Sequence, residues 1–100
     1  MKTTINYEED RIVYEIYHNV ITMESYMNIL KVKVETPKTL SGIINNVGFR
    51  VLKKDLNKVK PIDIYFRAQL EAKNPEDALN KANELFAQAY LEKANKLLKK

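Results

Sequence analysis

From Ile62 to Lys73 the chain alternates apolar and polar residues without a break. Ile62, Ile64, Phe66, Ala68, Leu70 and Ala72 fall on one side, and Asp63, Tyr65, Arg67, Gln69, Glu71 and Lys73 on the other. Successive side chains of a strand point to opposite faces, so this period predicts a strand, opened by Pro61, with one buried face. The pattern stops at Asn74-Pro75, where asparagine suits an N-cap and proline the first helical position. Glu76 and Asp77 then put negative charge where a helix dipole favours it. Ala78, Ala82, Leu85, Phe86, Ala89, Tyr90, Leu97 and Leu98 trace an apolar stripe, and Lys93, Lys96, Lys99 and Lys100 charge its far end. The spacing predicts a helix over 75–98, long enough at about 1.5 Å per residue to cover a sheet and overhang it. Phe66, Leu85 and Phe86 are expected to be buried together where this helix crosses its strand. A sheet with a helix laid on it is an α+β architecture.

The remaining elements follow from shorter patterns. Arg11 to Thr22 is rich in Ile, Val and Tyr and predicts a strand. Met23 to Met27 suits a turn. Asn28 to Glu35 sets Leu30, Val32 and Val34 against Lys31, Lys33 and Glu35, a second strand in hairpin with the first. Leu40, Ile43, Ile44 and Val47 recur at helical spacing behind Thr36 and Pro37, which predicts a short helix over 37–46 ended by Gly48. Gly42 and Asn45-Asn46 weaken a helix interior, so an irregular loop is the alternative there. Phe49 to Lys53 leaves room for a short strand, and Lys54 to Lys60 for a turn or loop. The order is ββαββα, a cyclic permutation of the ferredoxin-like order βαββαβ. It implies a single domain over 1–100, with one four-stranded antiparallel sheet. The short helix and the long C-terminal helix would share one face, formed by Leu30, Val32, Val34, Ile62, Ile64, Phe66 and Leu70.

Composition removes most catalytic chemistry. The 100 residues include no cysteine and only one histidine, His18, so cysteine nucleophiles, disulfides and Cys/His metal sites are excluded. Two glycines, Gly42 and Gly48, cannot build a phosphate-cradling loop, and neither Ser25 nor Ser41 sits in a G-x-S-x-G turn. His18, mid-strand, has no orienting carboxylate or adjacent nucleophile visible in the sequence, and is better read as a partly buried histidine satisfied by a neighbour. The run Glu8-Glu9-Asp10 could hold a divalent ion, but adjacent residues rarely converge and a solvated turn explains it equally well. The expectation is a non-enzymatic protein with no cofactor, metal or small-molecule substrate. No apolar run exceeds three residues, so no signal peptide or membrane-spanning helix is expected, and the default location is the cytoplasm. Lysine, asparagine and isoleucine number 14, 10 and 9, all with A/T-rich codons, which suits a phage or viral gene, and then the host cytoplasm.

Charge is what points to a partner. Residues 37–70 hold seven basic groups and two acidic ones, +5, against −2 for residues 1–36 and +1 for residues 71–100. An anionic partner would be drawn to the middle third. On the expected sheet face away from the helices, Tyr17, Lys31, Lys33, Arg50, Tyr65 and Arg67 would project beside Glu15, Glu35 and Asp63. Aromatic rings among cations on an open sheet can stack bases and neutralise phosphates. Lys53, Lys54 and Lys58 add a basic hairpin that could follow a phosphate backbone, although lysines also guard edge strands against aggregation. These nine residues are the candidate binding set for DNA or RNA. The alternative is a protein-interaction module, an inhibitor, adaptor or homo-oligomeric accessory protein without nucleic-acid affinity. A homodimer could form by burying Val13, Tyr17, Ile21 and Leu52, or along the alanines of the last helix.

Overall fold

The last helix forms where its cap places it. In the computed structural model, which describes residues 5–98 with side chains from Arg11 onwards, helix α1 spans Pro75–Leu98. The Asn74 side chain accepts a hydrogen bond from the Asp77 amide at 2.8 Å, and the Asp77 carboxylate accepts one from the Lys73 amide at 3.1 Å. The two side chains cap the helix start together, a variant of the capping box in which the acidic side chain reaches the amide before the cap residue rather than that of the cap itself. Ala78, Ala82 and Phe86 are buried, and everything from Leu91 to Leu98 is exposed, so the helix overhangs the sheet as its length requires.

The rest of the chain is one antiparallel sheet of six strands, not four. They are β1 (Ile5–Asn19), β2 (Ser25–Glu35), β3 (Thr39–Ile44), β4 (Val47–Leu52), β5 (Lys58–Ile62) and β6 (Tyr65–Leu70), in the spatial order β4-β3-β2-β1-β6-β5. The short helix expected over 37–46 is absent, and with it the permuted ferredoxin-like order. That segment is β3 and its turn into β4. Asn45 and Asn46 have φ of 51° and 64°, the two left-handed residues of a tight hairpin between Ile44 and Val47. They were legible as helix-weakening residues; their positive use is a turn. The alternation at 62–73 also divides. Asp63, at φ 53°, turns the chain between Ile62 and Tyr65, so two strands stand where one was expected. The lysine-rich stretch is a 3-10 turn (Lys53–Asp55) followed by β5, an edge strand where Pro61 costs no ladder bond. Glu8, Glu9 and Asp10 lie in β1 rather than in a turn, and their side chains are outside the described residues.

The connection from β4 to β5 forces the sheet to curl. These are opposite edges, and five steps of about 4.8 Å would hold them about 24 Å apart in a flat sheet. Leu52 to Lys58 is six steps, three of them in the 3-10 turn, and reaches only about 17 Å. The sheet closes into a half-barrel, and Leu56 on the connection bridges to Gln69 of β6, beside the Lys58–Gln69 pair.

Two cores result, one on each face. Tyr14, Ile16, Phe66, Ala68 and Leu70 meet α1, where the Phe66 and Phe86 rings stack at 6.4 Å and half-buried Leu85 packs alongside. Val13, Leu30, Val32, Leu40 and Val51 fill the inner side of the curl with Phe49 and Leu56. Leu30 and Val32 thus face away from the helix, contrary to expectation. Leu30 pairs with Val13 and Phe66 pairs with His18, and those two β1 residues have opposite parity. A four-residue charge cluster pins the closed end. Arg11 donates two 2.8 Å hydrogen bonds to Glu71 and one to Glu35, and Lys53 also pairs with Glu35. The Glu71 hydrogen bonds, then its charge, raise the Arg11 guanidinium above its usual pKa against the cost of burial.

Candidate functional site

Register lines up one row of side chains across four strands of the inner face. Lys60 pairs with Arg67, Arg67 with Tyr17, and Tyr17 with Tyr26. Paired residues of an antiparallel ladder share a face, and each step is about 5 Å. Two cations on β5 and β6 are therefore followed by two phenol rings on β1 and β2. Tyr65, one register step away, completes a cluster of three rings. Tyr17 and Tyr26 stack at 5.3 Å and 17°, and Tyr65 meets both edge-on at 5.9 and 6.2 Å. Partial desolvation, then the neighbouring Tyr65, Tyr17 and Glu15, raise the Tyr26 phenol above its usual pKa. Tyr26 is nevertheless 52% exposed.

Beside the rings lies a polar floor. Glu15 accepts hydrogen bonds from the Gln69 amide at 2.8 Å and the Asn28 amide at 3.2 Å. Arg67 is different. Its Nε is buried and makes no hydrogen bond within the protein. It lines a recess of about 250 Å³ together with Lys58, Lys60, Gln69 and Asp55. A buried guanidinium nitrogen without an acceptor normally has one in a ligand or in water, because desolvation is otherwise uncompensated.

The curl sorts the nine residues expected from sequence. Tyr17, Tyr65, Arg67 and Lys58 come together on the inner face. Lys31 pairs with Ile12 and Arg50 with Ser41, which puts both on the helix side of the sheet, and Lys33 sits at a bulge in β2. Lys53 is engaged with Glu35, and Lys54 is exposed on the 3-10 turn. Sequence reasoning missed Tyr26 and Lys60. The sequence pattern around Met23 to Met27 suits a turn, yet a hairpin closing between Asn19 and Ser25 pairs Tyr26 with Tyr17. Lys60 was counted in the basic stretch but not as a strand residue facing Arg67.

His18 is buried and satisfied. Its Nδ1 lies 2.7 Å from the Ser25 hydroxyl and its Nε2 lies 2.8 Å from the Tyr90 hydroxyl, while its ring stacks on Phe86 at 5.2 Å. Tyr90 donates to the Met23 sulfur at 3.4 Å. The consistent arrangement has Ser25 donating to Nδ1 and Nε2–H donating to Tyr90. The chain ties the β1–β2 turn to the helix. Among the described residues no cluster of His, Asp and Glu could hold a metal ion, and no helix is long and apolar enough to cross a membrane. Comparison with protein-family models, curated proteins and solved structures found no match to this chain.

Proposed function

We propose that the chain is a binding protein rather than an enzyme, and that its inner face holds single-stranded nucleic acid. The observation that supports this reading is the row Lys60–Arg67–Tyr17–Tyr26, with the unpartnered Arg67 Nε in it. Bases stack on the exposed Tyr26 ring while phosphates lie on Arg67 and Lys60, and stacking of this kind needs bases released from a duplex. The test is fluorescence anisotropy of labelled single- and double-stranded DNA and RNA over a salt series. Single strands should bind more tightly, with Tyr26→Ala costing about 1–3 kcal/mol. Arg67→Ala and Lys60→Ala should each flatten the salt slope by about 0.7 per lost phosphate contact. Lys53→Ala should do less, because that lysine is held by Glu35. Failure of the wild type to retain any oligonucleotide in about 50 mM salt, where electrostatic binding is strong, ends this reading.

The second reading is a protein-interaction module. It is favoured by the exposed Ile21 and Met23 on the β1–β2 turn and the exposed Tyr26 just after it, apolar side chains grouped at one end of the first hairpin. It expects no nucleic-acid affinity and places Tyr17, Tyr26 and Tyr65 in a protein contact.

A further inference from the structure

Strand β2 is longer than the hairpin that flanks it. Its outer side pairs with β3 only at Val32, Val34 and Glu35, and among the described residues no strand pairs with that side from Ser25 to Ile29. Five residues, about 17 Å of strand, thus offer an unpaired row of amides and carbonyls. The contrast with β5 is informative. That edge carries Lys58, Lys60 and Pro61, the residues that discourage strand addition, whereas Ser-Tyr-Met-Asn-Ile carries no charge, no proline and no glycine. Apolar surface surrounds the open stretch: Ile29 is 43% exposed, and Ile43 and Val47 at the tip of the β3–β4 hairpin are exposed beyond it.

We propose that this edge pairs with the same edge of a second copy, antiparallel about a two-fold axis near Met27, to give a symmetric dimer with one continuous sheet. The stretch suits itself. Antiparallel addition sets the uncharged segment against its own uncharged copy, with like faces together. Glu24 and Lys31 bracket it, so each end of the paired segment brings the acidic end of one copy beside the basic end of the other. The two Tyr26 rings then approach across the axis on the inner face, and the cations of the two rows lie at opposite ends. The dimer does not depend on nucleic-acid binding, and its test contains none.

The test is the mass of the purified chain by light scattering or sedimentation across a concentration series. The wild type should reach twice its 11.7 kDa at high micromolar concentration, and Ile29→Lys should remain at 11.7 kDa there while keeping its circular dichroism. Leu98→Lys, which removes an exposed apolar residue from the overhanging helix end, should leave the dimer intact. Amide exchange of the wild type supplies a readout without substitutions, because protection of Ser25 to Ile29 should rise with concentration. A wild type that stays at 11.7 kDa overturns the proposal. So does a dimer that survives Ile29→Lys, or one that dissociates with no change in protection at Ser25 to Ile29.

Discussion

A methyl group added at Gly42 would stand 2.4 Å from the Lys31 carbonyl oxygen and 2.9 Å from the Phe49 ring, its partner across the β3–β4 pair. Backbone and ring would both have to move, so Gly42→Ala should destabilise by about 1–3 kcal/mol in urea unfolding, the range for overpacking. Phe66→Ala, which empties the space against Phe86, should cost about 3–5 kcal/mol. A loss below about 1 kcal/mol would mean that Phe66 is not in the helix-side core. At this scale the sequence was half legible. Tyr17, Tyr65 and Arg67 were recognisable because strand alternation isolates them from apolar neighbours. Lys31 and Arg50 were not separable from them, because parity within a strand does not say which of two sheet faces is meant. Here both faces are buried in part, and the inner core of Val13, Leu30 and Val32 is what assigns them.

Elements show the same division between local and non-local causes. The helix start was legible residue by residue, since a cap is a contact between near neighbours. Asn74→Ala should cost about 0.5–2 kcal/mol. Asp77 adds a pH dependence whose sign is fixed. The Lys73 amide, and then Lys81, hold its carboxyl below the usual value against partial desolvation. A carboxyl depressed in the folded state contributes stability that is full above its unfolded pKa and fades as pH falls through the folded one. Asp77→Asn should therefore lower stability near neutral pH and flatten its decline in acid, as seen in urea midpoints between about pH 2 and pH 6. The segment 37–46 misled because Leu40, Ile43, Ile44 and Val47 fit helical spacing, although three of ten residues resist a helix. What settles it is the pairing of Leu40 with Val51 and Gly42 with Phe49, contacts whose second partners lie outside the segment 37–46. Replacing Asn45 and Asn46 together by alanine should cost about 1–2 kcal/mol for each left-handed residue, measured by thermal unfolding.

For the whole molecule, the defining fact is that edges β4 and β5 are joined by a connection too short for a flat sheet. Glu35, which receives both Arg11 and Lys53 at the closed end, holds the curl from within. Glu35→Ala should cost roughly 1–3 kcal/mol in urea, the range for losing charged hydrogen bonds at a half-buried site. Strand order has another consequence. β1 lies at the centre, with β2 on one side and β6 on the other, so Tyr14 pairs with Ile29 fifteen residues on and with Leu70 fifty-six residues on. Distant pairings of this kind close late, and chains that depend on them fold slowly. During synthesis, at about 5–20 residues per second, the first two hairpins can assemble well before β6 and the helix emerge. Throughout that interval Ile12, Tyr14 and Ile16 present an uncovered apolar strip, and the nascent chain has to stay soluble until its last third arrives to close over them.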